Sequence, residues 1–335
     1  MRVSVIIPNY NRAAVIGETV QNMLSQSLAP HEVIVVDDGS TDDSVKVIRH
    51  FGNHVTLIQQ SNQGPGAARN AGLKVATGEF IQFMDSDDLA SLNKLEVQAK
   101  VLKEQNADIV YGPWVKAWMS NQKLQLQDVV LQQKPLPSDR STLLWFLSSW
   151  SMVFQQCLLR KSLLDRVGGY REDLRLYEDG ELFVRMLLGG AKLVHEAHSL
   201  TLYRLEDHGK LTSSGSNSLQ KILDKAHFFA LVIESLSKHN EYKPILQHSE
   251  VSFNIWRSLS EFEQSNVPDV DWIIPLQVLA GNCSSLVMRA KKWSQQKISG
   301  LQYRLTGHRW HRSYQPSSMT EKQEYLIREL GFDLL

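Results

Sequence analysis

Cysteine is scarce in this chain of 335 residues. Cys157 and Cys283 are the only two, too few for a disulfide framework or a closed zinc site. They read as two buried free thiols in a reducing compartment. Net charge is missing too, with 36 Lys+Arg against 36 Asp+Glu. A general nucleic-acid binder needs a basic surface to displace counterions, so no nucleic-acid partner is expected. Long apolar runs are absent as well. The longest uncharged stretch, 141–159, contains four serines, a threonine and two glutamines, a poor bilayer span. Met1-Arg2 runs directly into a strand-like segment with no leader-type apolar region. A soluble, cytoplasmic protein is the expectation. What the chain does have is 42% hydrophobic residues, enough for the core of one large domain or two modest ones.

The first 112 residues alternate between two periodicities. Short β-branched runs at Val3-Ile7, Val33-Val36, Val55-Ile58, Phe80-Met84 and Asp108-Tyr111 read as strands buried on both faces. Helical spacing lies between them: Ile16, Val20, Met23, Leu24 and Leu28, then Val45, Ile48 and Phe51, then 65–76 and 90–104. Strand and helix in repeated alternation predict an α/β fold, a mostly parallel Rossmann-like sheet flanked by helices. Further strands are expected at 153–160 and 192–195, and helices at 161–167 and 179–188. Beyond Ser218 the pattern is mostly helical to the end. The serine-rich run 213–218 reads as a linker, dividing the chain into 1–218 (halves 1–112 and 113–218) and a helical region 219–335.

In an open parallel sheet, ligands bind beyond the carboxyl ends of the strands. Four consecutive strand exits carry polar groups that core building does not require. They are Pro8-Asn9-Tyr10-Asn11, Asp37-Asp38-Gly39-Ser40, Asn62 to Asn70, and Asp85-Ser86-Asp87-Asp88. Three carboxylates within four residues repel one another unless a cation sits among them. Oxygen-only ligands suit Mg²⁺ or Mn²⁺, completed by a substrate's phosphates. The plainer alternative is a turn whose aspartates cap the next helix. Gly64-Pro65-Gly66 with Arg69 falls short of a dinucleotide-binding glycine loop and follows the third strand, not the first, which argues against NAD. Its expected role is close backbone approach, with Arg69 reaching a diphosphate or positioning Asp38.

The stretches VSVIIPNYN (3–11), VIVVDDGSTD (33–42), NQGPGAARNAG (62–72), FIQFMDSDD (80–88), the segment 158–195 and YRLEDHGKLTSS (203–214) together resemble family 2 glycosyltransferases. The resemblance covers roughly the first two thirds of the chain, and the order and spacing of the motifs carry it. It implies the GT-A fold and transfer of a sugar from a nucleotide diphosphate, with inversion. Position by position, it assigns Pro8, Tyr10 and Asp38 to the nucleoside, often uridine, with Arg69 beside the nucleotide. Asp85 and Asp87 form the DXD motif, with Ser86 between them. Asp87 is then the direct ligand of Mn²⁺ or Mg²⁺, and Asp85 faces the ribose or donor sugar. Asp179 matches the catalytic base, supported by Glu178, and His208 the residue that reaches the diphosphate or the metal. Gly180 stands where the family often has an aromatic residue, which predicts a wider or differently shaped acceptor pocket. The implied partners are a nucleotide-sugar donor, often a UDP-sugar, and a saccharide or lipid-linked acceptor.

Trp114 and Trp150 are the candidates for stacking on an acceptor sugar. From 272 to 320 there is no acidic residue, while Arg289, Lys291, Lys292, Lys297, Arg304, Arg309 and Arg312 accumulate beside Trp293, Tyr303 and Trp310. Residues 289–312 therefore read as a surface for an anionic membrane, at its inner face, or equally as a solvated face or a groove for an anionic partner. Two other functions share the nucleotide-binding residues: a sugar-1-phosphate nucleotidyltransferase, and a non-catalytic nucleotide- or glycan-binding protein of the same fold.

Overall fold

The computed structural model describes residues 1–120, 123–126, 130–150, 152–205, 219–239, 242–265, 271–273, 277, 319–331 and 333–334. Its first part runs β1 Val3–Asn9, α1 Ile16–Leu24, β2 Glu32–Asp37, α2 Ser44–Arg49, β3 Thr56–Gln59, α3 Pro65–Val75, β4 Phe80–Phe83, β5 Leu89–Ala90, α4 Lys94–Glu104 and β6 Ile109–Tyr111. There follow β7 Trp114–Ser120, β8 Lys123–Leu126, α5 Thr142–Ser148, β9 Cys157–Arg160, α6 Lys161–Val167, α7 Glu178–Leu188, β10 Leu193–His195 and β11 Thr201–Leu205. The remainder holds α8 Leu219–Ser237, α9 Lys243–Leu246, α10 Ser249–Glu263, α11 Glu321–Arg328 and β12 Asp333–Leu334.

The main sheet has seven strands in the order β10-β6-β9-β4-β1-β2-β3. β4, β1, β2 and β3 are mutually parallel, as the strand–helix alternation predicts. Both faces are buried, and the side chains divide by the two-residue period of a strand. Ile6, Ile34, Val36, Ile81 and Phe83 enter the core beneath α3, α6 and α7. Val3, Val5, Ile7, Val33 and Val35 enter the one beneath α1 and α4.

β9 is the exception in that sheet, running antiparallel to both β4 and β6. The expected strand over 153–160 is shorter than its apolar run, because Phe154–Gln156 form a 3₁₀ turn before it. Cys157 is a buried free thiol in this strand, while Cys283 lies outside the described residues.

A second sheet, β12-β8-β7-β11-β5, was not legible in the sequence. Its outer strand β12 comes from the end of the chain, so the region 219–335 does not stay helical throughout. α11 buries Leu326 and Ile327 against Leu89, Val115, Ala117 and Leu202 of this sheet. α8 and α10 share another core with α5 and α7, through Leu143, Leu147, Val184, Phe228, Phe229, Val232, Ile255 and Leu259. The linker expected at 213–218 and the basic segment 289–312 lie outside the described residues. Among the described residues no helix is long and apolar enough to cross a membrane.

Candidate active site

The exits of β1, β2 and β4 and the starts of α3 and α7 converge on a cleft of about 360 Å³. Pro8, Tyr10, Asp38, Arg69, Asp85, Ser86, Asp87, Glu178 and Asp179 all line it. His208 lies outside the described residues. Sequence reasoning did not single out Arg12, Gln155, Arg175 and Tyr203, which also line the cleft.

At the β2 exit the two aspartates divide their work. Asp37 accepts from Asn9 Nδ2 at 2.8 Å, Ser40 Oγ at 2.6 Å and Ser40 N at 3.1 Å, closing its own turn. Asp38 Oδ1 accepts from Gln60 Nε2 at 2.8 Å and Gln63 N at 2.9 Å, and Oδ2 accepts from Gly64 N at 2.8 Å. Asp38 thus fixes the third exit loop against the second while it borders the cleft. A carboxylate oxygen accepts more than one hydrogen bond, so Oδ2 keeps capacity for a nucleobase or ribose donor. Tyr10 is 47% exposed, an aromatic face left open at the cleft.

The glycine loop is explained by packing. A Cβ on Gly66 would stand 2.8 Å from the carbonyl oxygen of Arg171, so only glycine lets α3 approach the 170–171 segment this closely. Three residues on, Arg69 lines the cleft but bonds elsewhere than to Asp38. Its Nη2 donates to Asp85 Oδ1 at 2.9 Å and its Nη1 to Glu178 Oε1 at 2.8 Å, with Asp179 Oδ1 at 3.6 Å. The guanidinium also lies over the Tyr170 ring, 5.2 Å from its centroid. Arg69 is therefore a buried tie between the DXD exit and α7. Burial pulls its pKa down, but the charges of Asp179, Asp85 and Glu178 outweigh that and push it further up.

The Asp85–Asp88 turn is held from several sides. Asp85 Oδ2 accepts a short hydrogen bond from Gln155 Nε2, which also donates to Asp88 Oδ2 at 2.9 Å. Asp88 is fully buried and its Oδ1 accepts from Arg204 N at 2.8 Å, so it is structural. Asp87 pairs with Arg12 Nε at 3.4 Å. Asp85 and Asp87 are the oxygen donors of the cleft that could hold a divalent cation together with a substrate. That chemistry fits Mg²⁺ or Mn²⁺, which keep ligand positions for phosphate oxygens and water. Among the described residues no cluster of three or more His, Cys, Asp or Glu side chains could hold the ion without a substrate.

Glu178 and Asp179 open α7, where the helix dipole favours acids. Burial, then the charge of Asp179, pushes Glu178 up to about 7, with Arg69 opposing. Burial also raises Asp179, with the Asp85 charge adding to it and Arg69 again opposing. Asp179 Oδ1 is buried and makes no hydrogen bond of ordinary length, but Arg69 Nη1 faces it at 3.6 Å and the Tyr170 hydroxyl lies beside the carboxylate, which opposes the rise.

Two acceptor expectations are corrected by packing. Trp114 and Trp150 are 2% and 3% exposed and neither borders the cleft. Trp150 packs edge-on against Tyr111 and Phe183, so its area is spent on the core. Nor does Gly180 leave an enlarged pocket. A Cβ there would stand 3.3 Å from Phe146 and 3.4 Å from Phe228, aromatic rings brought in by α5 and α8.

The family model for glycosyl transferase family 2 matches residues 4–168. The glycosyltransferase GlyG of Streptococcus pneumoniae serotype 4 is 30% identical over 216 residues, which is 60% of this chain and 70% of that protein. The UDP-Glc:alpha-D-GlcNAc-diphosphoundecaprenol beta-1,3-glucosyltransferase WfgD of Escherichia coli is 38% identical over 112 residues, 33% of this chain and 44% of WfgD. Among solved structures, the mannosyltransferase PcManGT from Pyrobaculum calidifontis, in complex with GDP-Man and Mn²⁺, matches with a TM-score of 0.54 and 20% identity, over 88% of this chain and 83% of that one. That likeness gives the fold, and its neighbours are GT-A glycosyltransferases. The chain belongs to glycosyl transferase family 2.

Proposed function

We propose that this chain moves a sugar from a nucleotide diphosphate, a UDP-sugar, onto a hydroxyl of a glycan or a lipid-linked saccharide, with inversion and with Asp179 as general base. One observation carries the reading. Asp179, with 28% of its side chain exposed, shares a cleft with the Asp85-Ser86-Asp87 exit, and Arg69 links the two. UDP as the nucleotide and a lipid-linked acceptor follow the activity named for WfgD and the family resemblance.

Glycosyl transfer needs a base on the acceptor and charge stabilisation on the departing diphosphate. Asp38 and Tyr10 hold the nucleoside, the first by accepting a hydrogen bond and the second with its open face. Asp179 takes the proton of the attacking hydroxyl. Its raised basicity helps that transfer, and Arg69 keeps it ionised while it waits. Glu178 stays bonded to Arg69 and supports the base. Asp87, with Asp85 beside it, would hold Mn²⁺ or Mg²⁺ against the diphosphate, where a bound cation supplies positive charge to the leaving group. A single displacement with the base on the attacking side inverts the anomeric carbon.

The test is a thermal-shift series with nucleoside diphosphates, with and without Mn²⁺. Ligand at 100 times its Kd stabilises by about 2.7 kcal/mol, an easily read shift. UDP should stabilise most, more so with Mn²⁺, and Asp87→Ala should remove that metal dependence. Metal-dependent UDP binding that survives in folded Asp87→Ala sinks the metal assignment. Sugar-1-phosphate plus nucleoside triphosphate turnover would replace the reading with a nucleotidyltransferase, and nucleotide binding with no turnover would leave a binding protein.

A further inference from the structure

The segment before the base is held from outside the acceptor half. Tyr177, immediately before Glu178, sits in the left-handed region at φ 66° although it is not glycine. Such a conformation is strained for a residue with a side chain and persists only when its surroundings impose it. Those surroundings are on α8. Asp224 is 4% exposed, and its Oδ2 accepts from both Leu176 N at 2.8 Å and Arg175 N at 3.2 Å. Gln220 Nε2, one turn earlier on α8, donates to Asp224 Oδ1 at 2.7 Å and fixes the carboxylate. One further turn on, Phe228 stacks on the Tyr177 ring with centroids 5.8 Å apart at 22°. The same ring fills the space beside Gly180.

We infer that Asp224 is a positioning residue for transfer: by holding the amides of Arg175 and Leu176, and with Phe228 under Tyr177, it fixes the direction in which α7 presents Asp179 to the acceptor. The inference rests on Asp179 being the base. It gives the helical region after residue 218 a catalytic purpose. None of these residues falls within the 4–168 segment that the family model matches. Among the described residues no donor-side group bonds to Asp224, and the one link from its loop to that side is the exposed contact of Arg175 Nη1 to Asn62 Oδ1 at 3.4 Å, so the effect should appear in turnover far more than in nucleotide affinity.

The test compares Asp224→Ala and Asp224→Asn in the full chain. Asparagine keeps an oxygen that can accept from both amides, and alanine does not. Alanine should expose the Arg175 and Leu176 amides to hydrogen exchange and lower kcat by about tenfold or more, since small misplacements of a reacting group are costly. UDP affinity should stay within about twofold, and asparagine should restore most of the turnover and the protection. Should the alanine variant fail to fold, Asp224→Ser, with an acceptor too short to reach, takes its place. Exposed amides with wild-type kcat overturn the inference, as do protected amides in a folded alanine or serine variant. A parallel loss of UDP affinity also overturns it, by showing a general structural defect. Asp179→Asn distinguishes the two levels. If that variant stays active, the base assignment fails, whatever the amides show; if it is inactive while exposed amides leave kcat unchanged, only the role of Asp224 fails.

Discussion

On the donor side of the cleft, Asp37 and Asp38 each accept three hydrogen bonds, all from groups between Asn9 and Gly64. On the acceptor side, Glu178 and Asp179 share one guanidinium with Asp85 across the cleft, and the loop before them is held by Asp224, 48 and 49 residues further along the chain. The first arrangement is neutralised locally by backbone and amide donors. The second concentrates negative charge in a buried place and balances it with one cation and a distant helix. A nucleotide pocket can be rigid and satisfied before its ligand arrives. A base must keep room for a proton in a buried place, and the cost of burying its charge has to be balanced by something else.

The largest expected effect breaks the comparison at Arg69. Arg69→Met removes the only cation bonded to Glu178 and Asp179 among the described residues, leaving buried carboxylates uncompensated. Stability should fall by about 3–5 kcal/mol in urea unfolding, the scale for breaking a buried ion pair from one side. Asp38→Ala should cost less, about 1–3 kcal/mol, the penalty of stranding its donors. If the two variants are equally destabilised, the acceptor side is no more strained than the donor side.

Asp179→Asn comes next. It preserves shape and the helix start but cannot accept a proton, so transfer should fall by roughly 10²-fold or more. UDP affinity by calorimetry and the melting temperature should stay near normal. Glu178→Gln should do less. A reversal between the two would make Glu178 the base.

How much of this was readable in advance follows from sequence distance. The four strand exits of the nucleotide half were legible because each lies within a few residues of its own apolar run. β9 was seen as a strand, but its antiparallel insertion between β4 and β6 has no local signature. The second sheet pairs β7 with β11 and β8 with β12, contacts that no window of residues contains. Arg69 was noted as functional, yet its partner Glu178 is 109 residues away, so proximity in sequence pointed wrongly to Asp38. Trp114 and Trp150 look alike as candidate sugar platforms until burial is known. Asp224 had no signal at all, being one acid in an amphipathic helix.

A pH experiment sharpens the same contrast. Glu178 rises from an ordinary value of 4.5 to about 7 in the folded protein, mainly by burial. Between those values the folded state holds more protons than the unfolded one. The contribution is fully present below pH 4.5 and is lost as pH rises through about 7. Unfolding free energy of Glu178→Gln, measured from pH 4.5 to 8, should therefore decline less with rising pH than that of the native chain. Taking the difference between the two proteins removes titrating groups that do not interact with Glu178, including His227, whose lowered pKa gives the opposite slope. Equal slopes would show that the Glu178 carboxyl is not strained.

The smallest expected effect tests how firmly α8 grips the base helix. Gly180 lies in the first turn of α7, and replacing an interior helical glycine by alanine usually gains about 1 kcal/mol. Here the new Cβ would stand 3.3 Å from Phe146 and 3.4 Å from Phe228, so one of the rings must give way by a few tenths of an ångström. Overpacking a filled core costs typically about 1–3 kcal/mol, but a ring edge yields more cheaply than backbone. The two terms should nearly cancel, leaving Gly180→Ala within about 0.5 kcal/mol of the native chain in urea unfolding. The sign is informative. A gain of the whole helix-propensity term would mean that Phe228 shifts freely, and then its stack on Tyr177 cannot be what imposes the left-handed turn. A loss beyond about 1 kcal/mol would mean that the rings are locked. Combining Gly180→Ala with Phe228→Leu then separates these cases, because the smaller side chain should recover the propensity gain only if Phe228, rather than Phe146, resists the new methyl group.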